Sequence, residues 1–261
     1  MNKNFTLLVG KNSFVGKSMS LLKKNIDYVS FKDVDNINFS NFKNIILCSQ
    51  PPIYYLRKEK NFNFEKKIFK KITNQKIIFL SSSKVYPNKL NCSEITNVSP
   101  QNIYGENKLE LERVIKKNVR NYLILRVSNL FSHNSFSNKS FLDILKKNAK
   151  NNRILFDYSI SSVKDFISIK ILVKMISDLM NRSLSNQTFN IGCGNGGFKV
   201  IDIIKIFLGK KFDDIKIIKD NDKKMSQTLS ISKLISCINI SKTKNEKIII
   251  RDLKKCGKFY F

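Results

Sequence analysis

Phe5-Thr6-Leu7-Leu8-Val9-Gly10-Lys11-Asn12-Ser13-Phe14-Val15-Gly16-Lys17 lies near the start of the chain, and its reading decides the fold. The first five residues form a short apolar run with the length of a buried strand. Gly10 ends that run, and Lys17 to Lys24 continues with Met19, Leu21 and Leu22 at helical spacing. A glycine-bearing turn therefore sits between a strand and a helix. Free N–H groups and the positive dipole end of a helix start attract a pyrophosphate, and small residues let backbone and ligand approach. Ser13 stands where the middle glycine of such a turn is usual. Its Cβ limits close approach, but its hydroxyl can bond a phosphate oxygen.

Outward from this turn, strands and helices alternate. Strands are expected at 26–31, 44–48, 76–80 and 121–130, and helices at 61–72 and 103–117. Short turns join them in the order β-α-β-β-α-β-α-β, which points to an α/β fold with a doubly wound parallel sheet. Ligands cross such sheets at the C-terminal ends of the strands. Cys48-Ser49-Gln50 and Ser81-Ser82-Ser83 occupy two of those ends. The second half is less regular. Helices are expected at 141–150, 170–180 and 200–208, and strands at 154–158, 164–169, 187–191 and 214–218. Residues 227–234 read as a short strand entering a helical turn. Gly192 to Gly197 reads as a flexible connection, and the Lys-rich tail from Lys242, with one apolar run at Ile248 to Ile250, carries no assigned chemistry. The division expected is residues 1–160 for a dinucleotide-binding domain and 161–261 for a small α/β substrate lobe, with segments returning to the first.

Composition narrows the class. The 261 residues, 42% apolar with 20 Phe, suffice for a real core. No apolar run approaches the roughly 20 residues of a membrane span, and the N-terminal run is too short for a signal peptide. The five cysteines are scattered without CxxC spacing, which fits a reduced, cytoplasmic setting with neither a disulfide framework nor a zinc site. The single His133 lies in a Ser/Asn stretch and reads as a loop residue. The net charge of +28 raises the question of nucleic acid. Yet the basic residues are spread along the chain and accompany abundant Asn, Ile and Phe, so they read as compositional bias and not as a binding face.

Tyr104-Gly105-Glu106-Asn107-Lys108 falls on the helix expected at 103–117. Residues four apart share a helix face. A phenol beside an ammonium is a proton-transfer pair. An ordinary Tyr titrates near pH 10, and lowering that by about three units takes roughly 4 kcal/mol of differential stabilisation. One Lys in water does not supply this. A desolvated site with a second positive group does.

These features occur in a fixed order: Gly10-x5-Gly16, Ser81-Ser82-Ser83-x-Val85-Tyr86, Tyr104-x3-Lys108, Leu125-Arg126-x-Ser-Asn129, Lys164-Asp165-Phe166-Ile167 and Phe189-Asn190-Ile191-Gly192-x-Gly194. The order resembles that of the extended short-chain dehydrogenase/reductase superfamily, in its nucleotide-sugar epimerase/dehydratase branch, over residues 5–234. The resemblance implies a Rossmann-type sheet holding NAD or NADP. It implies that Gly10, Asn12, Ser13, Phe14, Val15 and Gly16 hold the pyrophosphate, and that Cys48, Ser49 and Gln50 line the edge where the cofactor passes. Asp33 would meet the adenosine ribose or adenine. Lys32 beside it suits a 2′-phosphate, so both cofactors stay open. Tyr104 would be the acid/base, Lys108 would bond the nicotinamide ribose and lower the Tyr104 pKa, and Ser82 would orient the reacting oxygen. Ser83, Asn129 and Lys164 would face the substrate.

The implied activity is an NAD(P)-dependent reductase or epimerase of a nucleotide-activated sugar, in surface polysaccharide biosynthesis, with a homodimer as the expected assembly. Three departures bear on the substrate end. Ser83-Lys84 replaces the Asp-Glu of sugar dehydratases, which removes an acid for water elimination. Lys164 stands where many members have Arg, and Ile171 where they often have Asp. Lys binds phosphate as a point charge, without the planar fork of Arg. A second reading, a catalytically inactive dinucleotide- or RNA-binding regulator on the same fold, rests on the charge and on these departures. The intact Ser82, Tyr104 and Lys108 favour the enzyme.

Overall fold

A computed structural model describes residues 6–48, 51–132, 141–219 and 222–258. Ser49, Gln50 and His133 lie outside the described residues. The N-terminal half runs β1 (Thr6–Val9), α1 (Phe14–Leu22), β2 (Asp27–Val29), β3 (Asn44–Leu47), α2 (Asn63–Lys71), β4 (Lys76–Ser82), α3 (Ile103–Asn118) and β5 (Tyr122–Val127). Beyond it come β6 (Asn129–Phe131), α4 (Phe141–Ala149), β7 (Arg153–Phe156), β8 (Val163–Lys164), β9 (Phe166–Ser168) and α5 (Ile169–Met180). The chain continues with β10 (Gln187–Ile191), β11 (Phe198–Lys199), α6 (Val200–Leu208), β12 (Lys216–Lys219), α7 (Ser232–Cys237) and α8 (Lys242–Lys258).

Six strands form one parallel sheet in the order β10-β5-β4-β3-β1-β2. This is the Rossmann-type sheet expected from the sequence, and its sixth strand, β10, comes from the second half. Side-chain alternation along each strand splits the core in two. Leu8, Ile46, Ile78, Leu80, Leu123 and Leu125 face one layer with Met19 of α1 and Leu172 and Ile176 of α5. Leu7, Val9, Ile45, Leu47, Ile77, Phe79 and Ile124 face the other with Ile68 of α2 and Leu111 and Ile115 of α3. With both faces covered, the strands read as continuous apolar runs. Each fully buried aliphatic side chain contributes about 1.5–3 kcal/mol. The strand order reverses between β1 and β3, which places the crevice at their C-terminal ends.

Several elements differ from the sequence reading, each for a visible reason. The strand expected at 121–130 divides at Ser128, whose N–H donates to Ile191 O at 2.9 Å while the next residues leave to pair with β9. The strand expected at 164–169 divides at Asp165. That carboxylate is buried and accepts from the N–H groups of Cys193 at 2.9 Å and Leu229 at 3.3 Å. The Gly192–Gly197 turn is an anchored junction: a Cβ at Gly192 would lie 2.2 Å from Asp165 Oδ2. Residues 227–231 contribute isolated bridges in place of a strand. The Lys-rich tail is the helix α8, which buries Ile249, Leu253 and Cys256 on one side. A Cβ at Gly257 would lie 1.8 Å from Phe207 O, so α8 meets the C-terminal end of α6 backbone to side-chain-free backbone. Ser168 donates to Asp252 at 2.6 Å and ties α8 to β9. Among the described residues no helix is long and apolar enough to cross a membrane.

Candidate active site

A cavity of about 710 Å³ opens at the C-terminal edge of the sheet, between the turn after β1 and the first turn of α3. One end of it is built by the turn. Gly10 adopts φ +119°, a conformation open to glycine, and the N–H groups of Gly10 and Lys11 both donate to Val29 O at 2.9 Å. Ser13 is the N-cap of α1, its Oγ accepting from Gly16 N–H at 3.0 Å. Ser13 Oγ also lies 3.5 Å from Cys48 Sγ at the end of β3, and burial pushes that thiol up to about 11. Gly10, Asn12, Ser13, Phe14, Val15 and Cys48 all line the cavity.

Gly16 lies behind that wall. A Cβ there would stand 2.1 Å from Gly10 O, a backbone atom that cannot swing aside. The turn and the helix start thus form a close-packed cradle that fits a dinucleotide pyrophosphate. Gly16→Ala gains about 1 kcal/mol of helix propensity. The clash, about 1–3 kcal/mol for overpacking, exceeds that gain. The expected outcome is a lower melting temperature and at least tenfold weaker dinucleotide binding, by about the 1.4 kcal/mol per decade of affinity. Unchanged melting and binding would show that the cradle tolerates a methyl group.

The reacting end is organised by one face of α3. Tyr104, Lys108 and Glu112 follow each other at four-residue spacing. Asn102 caps the helix, accepting from Gly105 N–H at 2.8 Å. Gly105 permits a close seat, since a Cβ there would be 2.2 Å from Lys84 O. This brings Tyr104 beside the turn that follows β4, where Ser82 and Lys84 line the same cavity. Lys108 is buried, its Nζ donating to Leu80 O at 2.5 Å and standing 5.6 Å from the centre of the Tyr104 ring. Burial lowers its pKa to about 8, against the opposing pull of Glu65, Cys48 and Glu112.

Tyr104 itself is pushed well above 10. Burial is the main cause, Tyr55 adds to it by charge and hydrogen bonding, and a hydrogen bond with Ser82 pulls the other way. Tyr55 lies flat against Tyr104, ring centres 4.6 Å apart and planes 9° apart. The segment carrying Tyr55 is fastened to α3 by Asn107, which donates to Tyr54 O and Arg57 O at 2.8 and 2.9 Å and accepts from Glu59 N–H at 2.8 Å. Tyr55 carried no sequence signal, because its approach to Tyr104 depends on that loop clamp.

The remaining expected residues divide. Asn129 lines the cavity and donates to Asp165 O at 2.7 Å. Ser83 is buried and is not part of the wall; Lys84, one residue on, is. Lys164 is buried in β8 with its Nζ 5.2 Å from the Tyr158 ring centre, behind the wall and not on it. Asp33 is exposed in the short 3-10 turn after β2, and Phe31 lines the cavity at that end. Apolar side chains of Phe131, Phe141 and Phe166 close the far end. Among the described residues no cluster of His, Cys, Asp and Glu could hold a metal ion.

The fold has counterparts among solved structures. RMD from Pseudomonas aeruginosa, complexed with NADPH, superimposes with a TM-score of 0.75 at 14% identity, over 97% of this chain and 99% of that one. The dTDP-glucose 4,6-dehydratase of Bacillus anthracis, in complex with NAD, gives 0.77 at 14% identity over 98% and 96%. The UDP-N-acetylglucosamine 4-epimerase of Methanobrevibacter ruminantium, in complex with UDP-N-acetylmuramic acid, gives 0.77 at 18% identity over 100% and 99%. No curated protein sequence matches the chain. The family model described as NAD dependent epimerase/dehydratase matches residues 43–192, a stretch that holds Ser82, Tyr104, Lys108, Asn129 and Lys164 and makes up more than half of the chain, which therefore belongs to that family.

Proposed function

We propose that the chain is an NAD(P)-dependent oxidoreductase or epimerase of a nucleotide-activated sugar, serving surface polysaccharide biosynthesis as a homodimer. The observation that carries this is the meeting of Ser82, Tyr104 and Lys108 in one cavity that runs on to the Gly10–Gly16 cradle. In this reading residues 1–160 hold the cofactor, and residues 161–261 contribute the far wall through Phe166 and Leu172.

The bound dinucleotide supplies hydride transfer at its nicotinamide ring. The chain's own residues manage the proton. A sugar carbonyl oxygen seated between Ser82 Oγ and Tyr104 takes the phenol proton, and the Lys108 ammonium stabilises the phenolate left behind. In the opposite direction Tyr104 must first be a phenolate, which its burial opposes. The chain on its own therefore keeps Tyr104 protonated, the form in which it can give a proton to a carbonyl oxygen. Water elimination lacks its acid, since no carboxylate is among the described residues of the wall.

The test is titration of the purified protein with NAD(H) and NADP(H), followed by turnover of nucleotide sugars. Saturable binding of one dinucleotide pair and sugar-dependent change in nicotinamide absorbance are expected. A protein that binds neither pair would overturn the reading.

A further inference from the structure

Among the described residues, the charged side chains that line the cavity are both cationic, Lys84 and Lys108. Lys108 is committed, its Nζ donating to Leu80 O beneath the catalytic tyrosine. Lys84 is different. Its backbone N–H donates to Ser82 Oγ at 3.2 Å, so the residue is fixed next to the reacting end. Its ammonium has no hydrogen bond or ion pair among the described residues. Behind it stands Lys164, buried and near enough for the Lys84 charge to act on it. Burial lowers the pKa of both, and in Lys164, brought to about 8, the Lys84 charge adds to the shift while Asp157 opposes it. Most of the described basic residues of this chain meet water, where compositional bias explains them. Lys84, in a wall whose described residues include no carboxylate, is not explained that way, while the Asp157 charge behind it favours the cationic form of Lys164. Desolvated like charges are costly unless an anion joins them.

We propose that Lys84, backed by Lys164, reads an anionic group carried by the sugar itself, so that the substrate is a nucleotide sugar with a carboxylate on its ring. This rests on the nucleotide-sugar reading above. The position argues for the sugar and against the diphosphate. Ser82 and Tyr104 grip the oxygen on the reacting carbon, and Lys84 is two residues from Ser82 on the same turn. A carboxylate on the same ring is within a side chain's reach of that oxygen. The diphosphate leaves from the anomeric carbon, at another edge of the ring. A buried charge-assisted bond of this kind contributes enough to discriminate strongly against a ligand that lacks the partner.

The experiment compares matched pairs on cofactor-loaded protein: UDP-glucuronate with UDP-glucose, and GDP-mannuronate with GDP-mannose. Affinities are measured calorimetrically for the native chain, Lys84→Gln and Lys84→Met. For the pair whose nucleotide is accepted, the native chain is expected to bind the acidic member about tenfold or more tightly than the neutral one, and both variants to bring that ratio close to one. Equal affinity for both members in the native chain overturns the proposal. So does an equal loss for both members in the variants, which would assign Lys84 to the diphosphate. Binding of NAD(P) without binding of any of the four sugars overturns the nucleotide-sugar reading as well. Unchanged dinucleotide affinity and melting temperature in the variants separate a lost contact from a damaged fold.

Discussion

Tyr104→Phe is expected to lower kcat by about 10²–10⁴-fold, the range that a positioned proton donor contributes, while dinucleotide affinity stays within about twofold. The substitution removes one oxygen and keeps the ring that lies against Tyr55 at 4.6 Å. Packing at the mouth of the cavity is therefore retained, and so is the cofactor cradle at Gly10–Gly16. What is lost is, among the described residues, the phenol that meets both Ser82 and the Lys108 ammonium. The pH profile of the native chain supplies a second check. Lys108 titrates near 8 because burial outweighs its acidic neighbours. A lysine with its pKa lowered is cationic only below that value, so turnover should decline as pH rises through about 8. In Tyr104→Phe the residual rate should lose that limb, because no phenolate remains for the ammonium to stabilise. A variant with native kcat would remove Tyr104 from the chemistry.

The turn at one end of the cavity was legible in the sequence because its signals are local. A strand ending in glycine, a small-residue turn and a helix start occupy a dozen consecutive residues, and each follows from backbone geometry. Tyr104 and Lys108 were legible for the same reason, as neighbours on one helix face. The rest of the site was not. Ser83 and Lys84 are adjacent in sequence, yet the turn after β4 buries the first and gives the second to the cavity. Lys164 and Asp165 lie on a strand that the sequence presents as continuous, whereas the buried carboxylate of Asp165 breaks it by capping two N–H groups from distant segments. Tyr55 reaches Tyr104 only through a clamp made by Asn107, fifty residues away. The helix α8 was obscured differently: the apolar spacing 249, 253, 256 is present, but lysines fill the positions between.

Glu112→Ala is expected to cost about 3–5 kcal/mol of stability, the typical loss on stranding one partner of a buried ion pair. Glu112 completes the stripe begun by Tyr104 and Lys108, and it is buried against Arg126 of β5. Arg126 donates through Nη2 to Oε2 at 2.7 Å and through Nε to Oε1 at 3.1 Å, and Ser81 of β4 donates to Oε1 at 2.5 Å. Arg126 Nη1 also donates to Tyr86, which donates in turn to Asn190 of β10 at 2.8 Å. One carboxylate thus fastens the helix that carries Tyr104 and Lys108 to three strands of the sheet. For a chain of this length the loss corresponds to a melting temperature lower by about 6–20 °C. Turnover should fall as well, because α3 then seats Tyr104 less firmly beside Ser82. The double variant Glu112→Leu with Arg126→Met discriminates between the energetic terms. It removes both charges, leaves Tyr86 its acceptor on Asn190, and strands only the Ser81 hydroxyl. Replacing a buried pair by apolar groups of similar volume is close to neutral, so most of the stability should return. Activity should return less than stability does, since two apolar side chains do not reproduce the directional hold on α3. If the double variant melts as low as Glu112→Ala, the pair is not the source of the loss and packing volume is.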